Sequence, residues 1–318
     1  MDIGLALPQY DYSLPGQQRL DWPTIVAWAQ RAEQAGFGSL WLSDHLFLSL
    51  ERYGGPATRY GALDPLPALA GLARLTRTAR LGTLVLCSPL RPPAVLAKAL
   101  ATLDVLCDGR LTVGVGAGWF EPELASAGVP FPGPGARLRD LAAHISALRA
   151  TWTGAEGAAP CLPRPVQKPH PPVWVGGKGD LLIETAVAHG DGWNVCWALT
   201  PEEYDARLEV LARACERHGR DPASLARSVG LYTLVGETEA DLARRFERLA
   251  EGSPPGVLAR TTLAEWRRGR LVGTVEQVRE QLAAWDDRGV STLVACLGAV
   301  PFAVTVPDDL DVVASLRP

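Results

Sequence analysis

Two kinds of apolar pattern alternate along the chain. Short, nearly continuous apolar runs at residues 3–7, 39–42, 80–86, 111–115, 173–175, 192–196, 229–235 and 291–295 predict strands buried on both faces. Between them apolar residues recur at helical spacing, as Ile25, Trp28, Ala29 and Ala32 do before the stop at Gly36. Punctuation agrees with that reading. Asp21 is placed to cap a helix with Pro23 in its first turn, and Thr200-Pro201-Glu202-Glu203 and Thr274 with Gln277 both read as capping boxes. Helices are expected over residues 65–76, 94–106, 136–152, 201–218, 240–250 and 275–287. Eight strands alternating with helices predict an α/β fold, a closed parallel (β/α)8 TIM barrel with loop insertions, formed by residues 1–318 as a single domain. An open doubly wound sheet is the alternative. Segments 43–61, 121–135 and 253–270 read as long loops, the usual place for lids and ligand contacts.

In either architecture ligands bind at the carboxyl ends of the strands. The second strand ends abruptly in Ser43-Asp44-His45, a titratable pair after Leu40, Trp41 and Leu42. A capping Asp beside a surface His is the plain alternative. The other strand ends contribute Gln9 and Tyr10, Cys87 and Ser88, Gly116-Ala117-Gly118-Trp119, Gly176-Gly177-Lys178-Gly179, and Asn194 to Trp197. Aromatic walls, glycine-rich backbone and one Asp-His pair suit a large planar ligand that carries a phosphate. Gly176 to Gly179 follows a strand and opens a helix, where free N–H groups and the helix dipole favour an anion. Lys178 adds a point charge, although a tight turn needing glycine dihedrals explains the same residues. Gly114-Val115-Gly116-Ala117-Gly118-Trp119 is not a dinucleotide fingerprint, because Trp119 stands where the third glycine belongs.

Composition narrows the function by exclusion. With 318 residues, 47% hydrophobic and 21% charged, and a net charge of −4, the chain offers no basic footprint for nucleic acid or an anionic membrane. No apolar run approaches the ~18 residues of a membrane span. The acidic start Met1-Asp2-Ile3-Gly4 lacks the basic region of a signal peptide, so a cytoplasmic protein is expected. Six scattered cysteines make neither a disulfide framework nor a zinc site, and no histidine spacing supports a metal. His144, His189 and His218 fall within or near the ends of expected helices, where surface or dipole roles are anticipated, and His170 lies in a proline-rich loop. No G-x-S-x-G elbow marks a hydrolase.

Taken together, Trp41-Leu42-Ser43-Asp44-His45, Leu81 to Leu86, Leu103-Asp104 through Gly109-Arg110, Val113 to Trp119, Val175-Gly176-Gly177 and Gly190-Asp191-Gly192-Trp193 resemble the bacterial luciferase-like monooxygenase superfamily. Within it, the chain is similar to the branch that uses the deazaflavin coenzyme F420. The resemblance covers essentially the whole chain and implies a barrel, commonly dimeric, that binds the cofactor at its mouth and acts on a small molecule. It further implies a cis peptide at Leu84-Val85 behind the cofactor ring. Ala117, Gly118 and Trp119 would approach that ring, and Gly176, Gly177, Lys178 and Gly179 would take the phosphate. Asp44 and His45 would stand beside the ring, His45 as proton donor or acceptor and Asp44 as the group that fixes its tautomer or caps the next segment. Gln9, Tyr10, Trp193 and Trp197 are expected on the substrate side. One departure stands out: sugar-phosphate dehydrogenases of this branch carry a glutamate directly after the glycine turn, where this chain has Trp119, with Glu121 and Glu123 further on. The rival readings are an FMN-dependent monooxygenase, which would need a flavin reductase as partner, a non-catalytic flavin- or deazaflavin-binding barrel, and a metal-dependent hydrolase for which ligands are lacking.

Overall fold

Strands whose two faces are both apolar must be covered on both, and here eight of them close on themselves under a layer of helices. The computed structural model describes residues 1–306 and 308–316. Its barrel strands are β1 (Asp2–Ala6), β2 (Ser39–Leu42), β3 (Arg80–Thr83, resuming at Leu86–Cys87), β4 (Leu111–Gly116), β5 (Val173–Gly176), β6 (Gly192–Trp197), β7 (Ala226–Gly236) and β8 (Thr292–Cys296). Each pairs in parallel with the next, and β8 closes on β1 with Leu5 opposite Ala295. The strands feed into helices such as Trp22–Ala35, Pro65–Leu75, Pro93–Leu106 and Pro201–His218. Outward-facing Leu5, Leu40, Leu81, Val113, Val175 and Val195 pack against this outer ring in one continuous core.

Inside the barrel, Trp41 and Trp174 stack with ring centroids 5.3 Å apart. Indoles this large fit because glycine stands opposite them: a Cβ at Gly82 would run into the Trp41 ring, and one at Gly192 into Trp174. Helix starts follow the capping chemistry expected. Asp21 accepts from the Thr24 amide, and Thr200 with Glu203 and Thr274 with Gln277 form reciprocal boxes.

The three long segments are more structured than their composition suggests. Residues 43–61 hold an antiparallel hairpin, Phe47–Ser49 with Arg59–Gly61. Residues 121–135 include the helix Glu121–Ser126, and the following helix begins at Pro134. Residues 253–270 carry the short helix Leu263–Arg267, itself opened by a Thr262–Glu265 capping box, and an extra strand Leu271–Thr274 then pairs with the end of β7. Proline and glycine at the segment ends hide these elements from a pattern reading, since they punctuate loops and short helices alike. His144 also departs from expectation. It lies mid-helix in Pro134–Thr153 and is buried, which holds its imidazole pKa below the ordinary value.

The glycine account of the barrel interior is testable by overpacking. Gly82→Ala should destabilise the protein by about 1–3 kcal/mol, because the new methyl meets a fixed indole. Gly133→Ala, where a Cβ meets nothing within 4 Å, should change stability by less than about 0.5 kcal/mol. Denaturant unfolding of both variants checks the contrast.

Candidate active site

The floor of the barrel mouth is made by an interruption in β3. Gly82 is opposite Thr112, yet Leu86 is opposite Val115, so β3 spends one more residue than β4 over the same length. That is a β-bulge, a device common beside active sites. Its Leu84–Val85 peptide bond is cis, as is Cys196–Trp197 at the end of β6. Thr83 replaces the lost ladder bonds with its side chain, donating to the Gly114 carbonyl at 2.8 Å and accepting from the Gly114 amide at 2.9 Å. Val85 is pressed toward three glycines. A Cβ on Gly116 or Gly176 would come within 2.8 or 2.7 Å of its methyls, and one on Gly114 within 3.0 Å. These glycines make room for Val85, which in turn surfaces the floor.

Asp44 and His45 are neighbours in sequence that serve different partners. Asp44 is buried and turns to the β3 break, where its carboxylate accepts from the Cys87 amide at 2.9 Å and from both terminal nitrogens of Arg91. Arg91 also reaches Asp64 at 2.7 Å. Burial raises the Asp44 pKa above its ordinary value against the opposing pull of Arg91. The expectation that Asp44 fixes the His45 tautomer is therefore corrected. That partner is Glu123, whose carboxylate lies 3.0 and 3.2 Å from His45 Nδ1 and also accepts from the Leu46 amide. Glu123 is buried on the helix Glu121–Ser126, and a carboxylate facing Nδ1 keeps the hydrogen there and leaves Nε2 for proton transfer. Sequence reasoning noted Glu123 only as a displaced acid. The signal that could have found it is Glu121-Pro122-Glu123 itself, since acids and proline favour a first helical turn.

The remaining expected residues divide. Trp119 is exposed at the rim, edge-on to His45 at 5.6 Å, with the Arg52 guanidinium 4.9 Å over its ring. Ala117 and Gly118 form the turn before it, Gly118 at φ +75°. Gly176 ends β5, Gly177 follows it at φ +146°, and Gly179 precedes the helix Asp180–His189, whose N-terminus has no side-chain cap. Lys178 Nζ donates to the Ala198 carbonyl at 2.7 Å, tying the β5 loop to the β6 loop. Trp197 reaches the mouth, stacked on Tyr232 and edge-on to Phe302.

Three residues expected on the substrate side do not lie open there. Trp193 points outward from β6, stacked on Tyr204 of the helix Pro201–His218, with Nε1 donating to the Gly177 carbonyl. Strand alternation places it there, one residue before inward-facing Asn194. Gln9 is fully buried and clamps Ser43 and Leu63 through its amide. Tyr10 is buried with its hydroxyl 2.5 Å from Ser43 Oγ. Both hold the β2 loop in place.

The arrangement favours proton transfer over nucleophilic or metal chemistry. Burial pushes the thiols of Cys87 and Cys196 up to about 12 and that of Cys296 to about 11, so none is a thiolate at neutral pH. Among the described residues no group of His, Cys, Asp and Glu could hold a metal ion.

A parallel barrel with a bulged third strand, a carboxylate-held histidine and an open helix start at one mouth defines a cofactor-using barrel enzyme. Residues 1–292 match the luciferase-like monooxygenase model, and the chain belongs to that family. An uncharacterised protein of Mycobacterium tuberculosis is 35% identical over 297 residues, covering 86% of this chain and 95% of that one. The F420-dependent hydroxymycolic acid dehydrogenase of the same organism is 30% identical over 306 residues, covering 90% and 79%. Among solved structures, an F420-dependent secondary alcohol dehydrogenase in complex with an F420-acetone adduct superposes with a TM-score of 0.77 at 18% identity, covering 100% of this chain and 98% of that chain.

The division of labour between Asp44 and His45 has a measurable consequence. Asp44→Ala strips a buried amide and a guanidinium of their acceptor and should cost about 2–3 kcal/mol in chemical denaturation. His45→Ala should cost less than about 1 kcal/mol in the same assay.

Proposed function

We propose that this chain is a coenzyme F420-dependent oxidoreductase that transfers a hydride between the deazaflavin and a small organic substrate of the alcohol or ketone kind. The observation that carries the reading is the His45–Glu123 pair at the end of β2, beside the Val85 floor. The 30% identity to a hydroxymycolic acid dehydrogenase across 90% of the chain supports both the cofactor and the substrate class. The mouth fits such a group. Val85 and the Ala117–Gly118 turn offer an apolar seat for a flat ring. Gly177 to Gly179 and the uncapped start of Asp180–His189 offer backbone donors for a phosphate.

When bound, the deazaflavin supplies a carbon that accepts or returns hydride. The chain supplies the proton chemistry. His45 takes the hydroxyl proton of an alcohol, or returns it to a carbonyl, and Glu123 holds the imidazole in one tautomer and stabilises its protonated form. Asp44, through Arg91 and the Cys87 amide, keeps the bulge in register at the floor where a flat ring would be held. Trp119 and Phe120 flank His45 at the rim and limit water there. A homodimer, as the family resemblance implies, and a cytoplasmic location belong to the same proposal.

His45→Ala should lower turnover by about 10²–10⁴ while changing the dissociation constant for the deazaflavin less than about threefold. Glu123→Gln should lower it less, because the amide still accepts from Nδ1 but no longer stabilises charge. Alcohol-dependent loss of the deazaflavin's visible absorbance reads turnover, and its fluorescence reads binding. Unchanged turnover in His45→Ala would remove that residue from the mechanism.

A further inference from the structure

A row of packed, largely buried aromatic rings leads away from His45 beneath the barrel mouth. It runs through Tyr10, Phe302, Trp197 and Tyr232 in ring-to-ring steps of 6.4, 6.3, 5.4 and 5.7 Å, and ends on Trp266, 5.6 Å further. Strand register confirms that Tyr232 belongs to the mouth: it lies opposite Cys296 at the carboxyl end of β8, next to Leu231, which faces Trp197. The row is apolar for most of its length, and its far end is not.

There, three hydrogen-bond donors have no acceptor. Tyr232 Oη, Trp266 Nε1 and Arg270 Nε are all buried and unpartnered. The Arg270 guanidinium lies 3.9 Å over the Trp266 ring and 5.7 Å from that of Tyr232. Its Nη1 donates to the carbonyls of Trp266 and Arg268, and the side chain as a whole is half-buried. Among the described residues no carboxylate pairs with Arg270, whereas Arg91, Arg207, Arg245 and Arg288 each have one. Burial also draws its pKa below the ordinary guanidinium value. Buried polar groups are ordinarily satisfied, so a buried phenol and a buried indole N–H left unpartnered beside a half-buried guanidinium mark a place for an acceptor that carries negative charge. Unpartnered Nε atoms occur on other arginines of this chain, and Arg227 lies near the unpartnered Tyr204 hydroxyl; at Arg270 an unpartnered phenol and an unpartnered indole N–H come together.

We propose that Arg270, Tyr232 and Trp266 form a carboxylate site, and that the substrate is an apolar molecule bearing a carboxylate at the end remote from the reacting carbon. A planar guanidinium beside two neutral donors matches the two oxygens and single charge of a carboxylate, while a phosphate dianion would stay half uncompensated. The apolar body lies along Trp197, which is partly exposed, with its other end toward His45. The assignment of that reacting end rests on the deazaflavin reading above; the carboxylate site itself does not.

The test uses 4-phenylbutyrate and its neutral amide as probes, titrated into cofactor-free protein by calorimetry. The acid should bind at least tenfold tighter than the amide. Arg270→Gln should erase that preference, Arg270→Lys should keep part of it, and Tyr232→Phe should reduce it severalfold, with melting temperatures recorded for each. Equal binding of acid and amide by the unaltered protein would overturn the proposal, as would an undiminished preference in a folded Arg270→Gln. A second arm compares coenzyme F420 with its chromophore lacking the anionic tail, in both proteins. A tenfold loss for the coenzyme alone in Arg270→Gln would give the site to the cofactor and overturn the substrate assignment. Failure of either deazaflavin to bind would remove the reading of the reaction and leave the acid-against-amide comparison to decide the site.

Discussion

The seating of Val85 among three glycines is the contact on which the rest of the mouth depends. Gly114 and Gly116 on β4 and Gly176 on β5 leave a hollow that a single methyl group on any of them would close. Val85 fills it because β3 carries one extra residue there, and Thr83 restores the hydrogen bonds that the extra residue displaces. The resumed strand then brings the Cys87 amide to Asp44, and Arg91 locks that carboxylate from the next turn. His45 is thereby delivered at the rim with its ring free to meet Glu123. Floor, anchor and the His45–Glu123 pair are thus linked through one packed side chain.

Much of this was legible in the chain because its signals are local. Continuous apolar runs gave all eight strands, since a strand buried on both faces has no room for polar alternation. Capping residues fixed helix starts at Asp21, Thr200 and Thr274, where the side chain and the amide it serves lie within three residues. The glycine turns at 116–118 and 176–179 stood out for the same reason. His45 was legible as a polar residue just beyond the end of a buried strand.

What was not legible depends on contacts far apart in sequence. Glu123 meets His45 across 78 positions, and nothing in Glu121-Pro122-Glu123 says which histidine it will face. Asp44 looked like a partner for the residue beside it, yet its acceptor geometry belongs to Cys87 and Arg91. Trp193 shows the cost of assigning a side chain to a strand end without its phase: one position along β6 separates the mouth from the helix layer. Gln9 and Tyr10 sit at a strand end as expected, but their hydrogen bonds to Ser43 are used to hold a loop. The hairpin at Phe47–Ser49 and Arg59–Gly61 and the capped helix at Leu263–Arg267 were hidden by short length, and the latter supplies the Trp266 that closes the aromatic row.

The central claim is that this mouth is built for a deazaflavin used as a hydride carrier. The measurement that tests it most directly is a fluorescence titration of the purified protein with oxidised coenzyme F420 and, separately, with FMN. The account predicts saturable binding of coenzyme F420, with FMN binding at least tenfold weaker. Tighter binding of FMN would contradict it and turn attention to oxygen-dependent chemistry with a reductase partner.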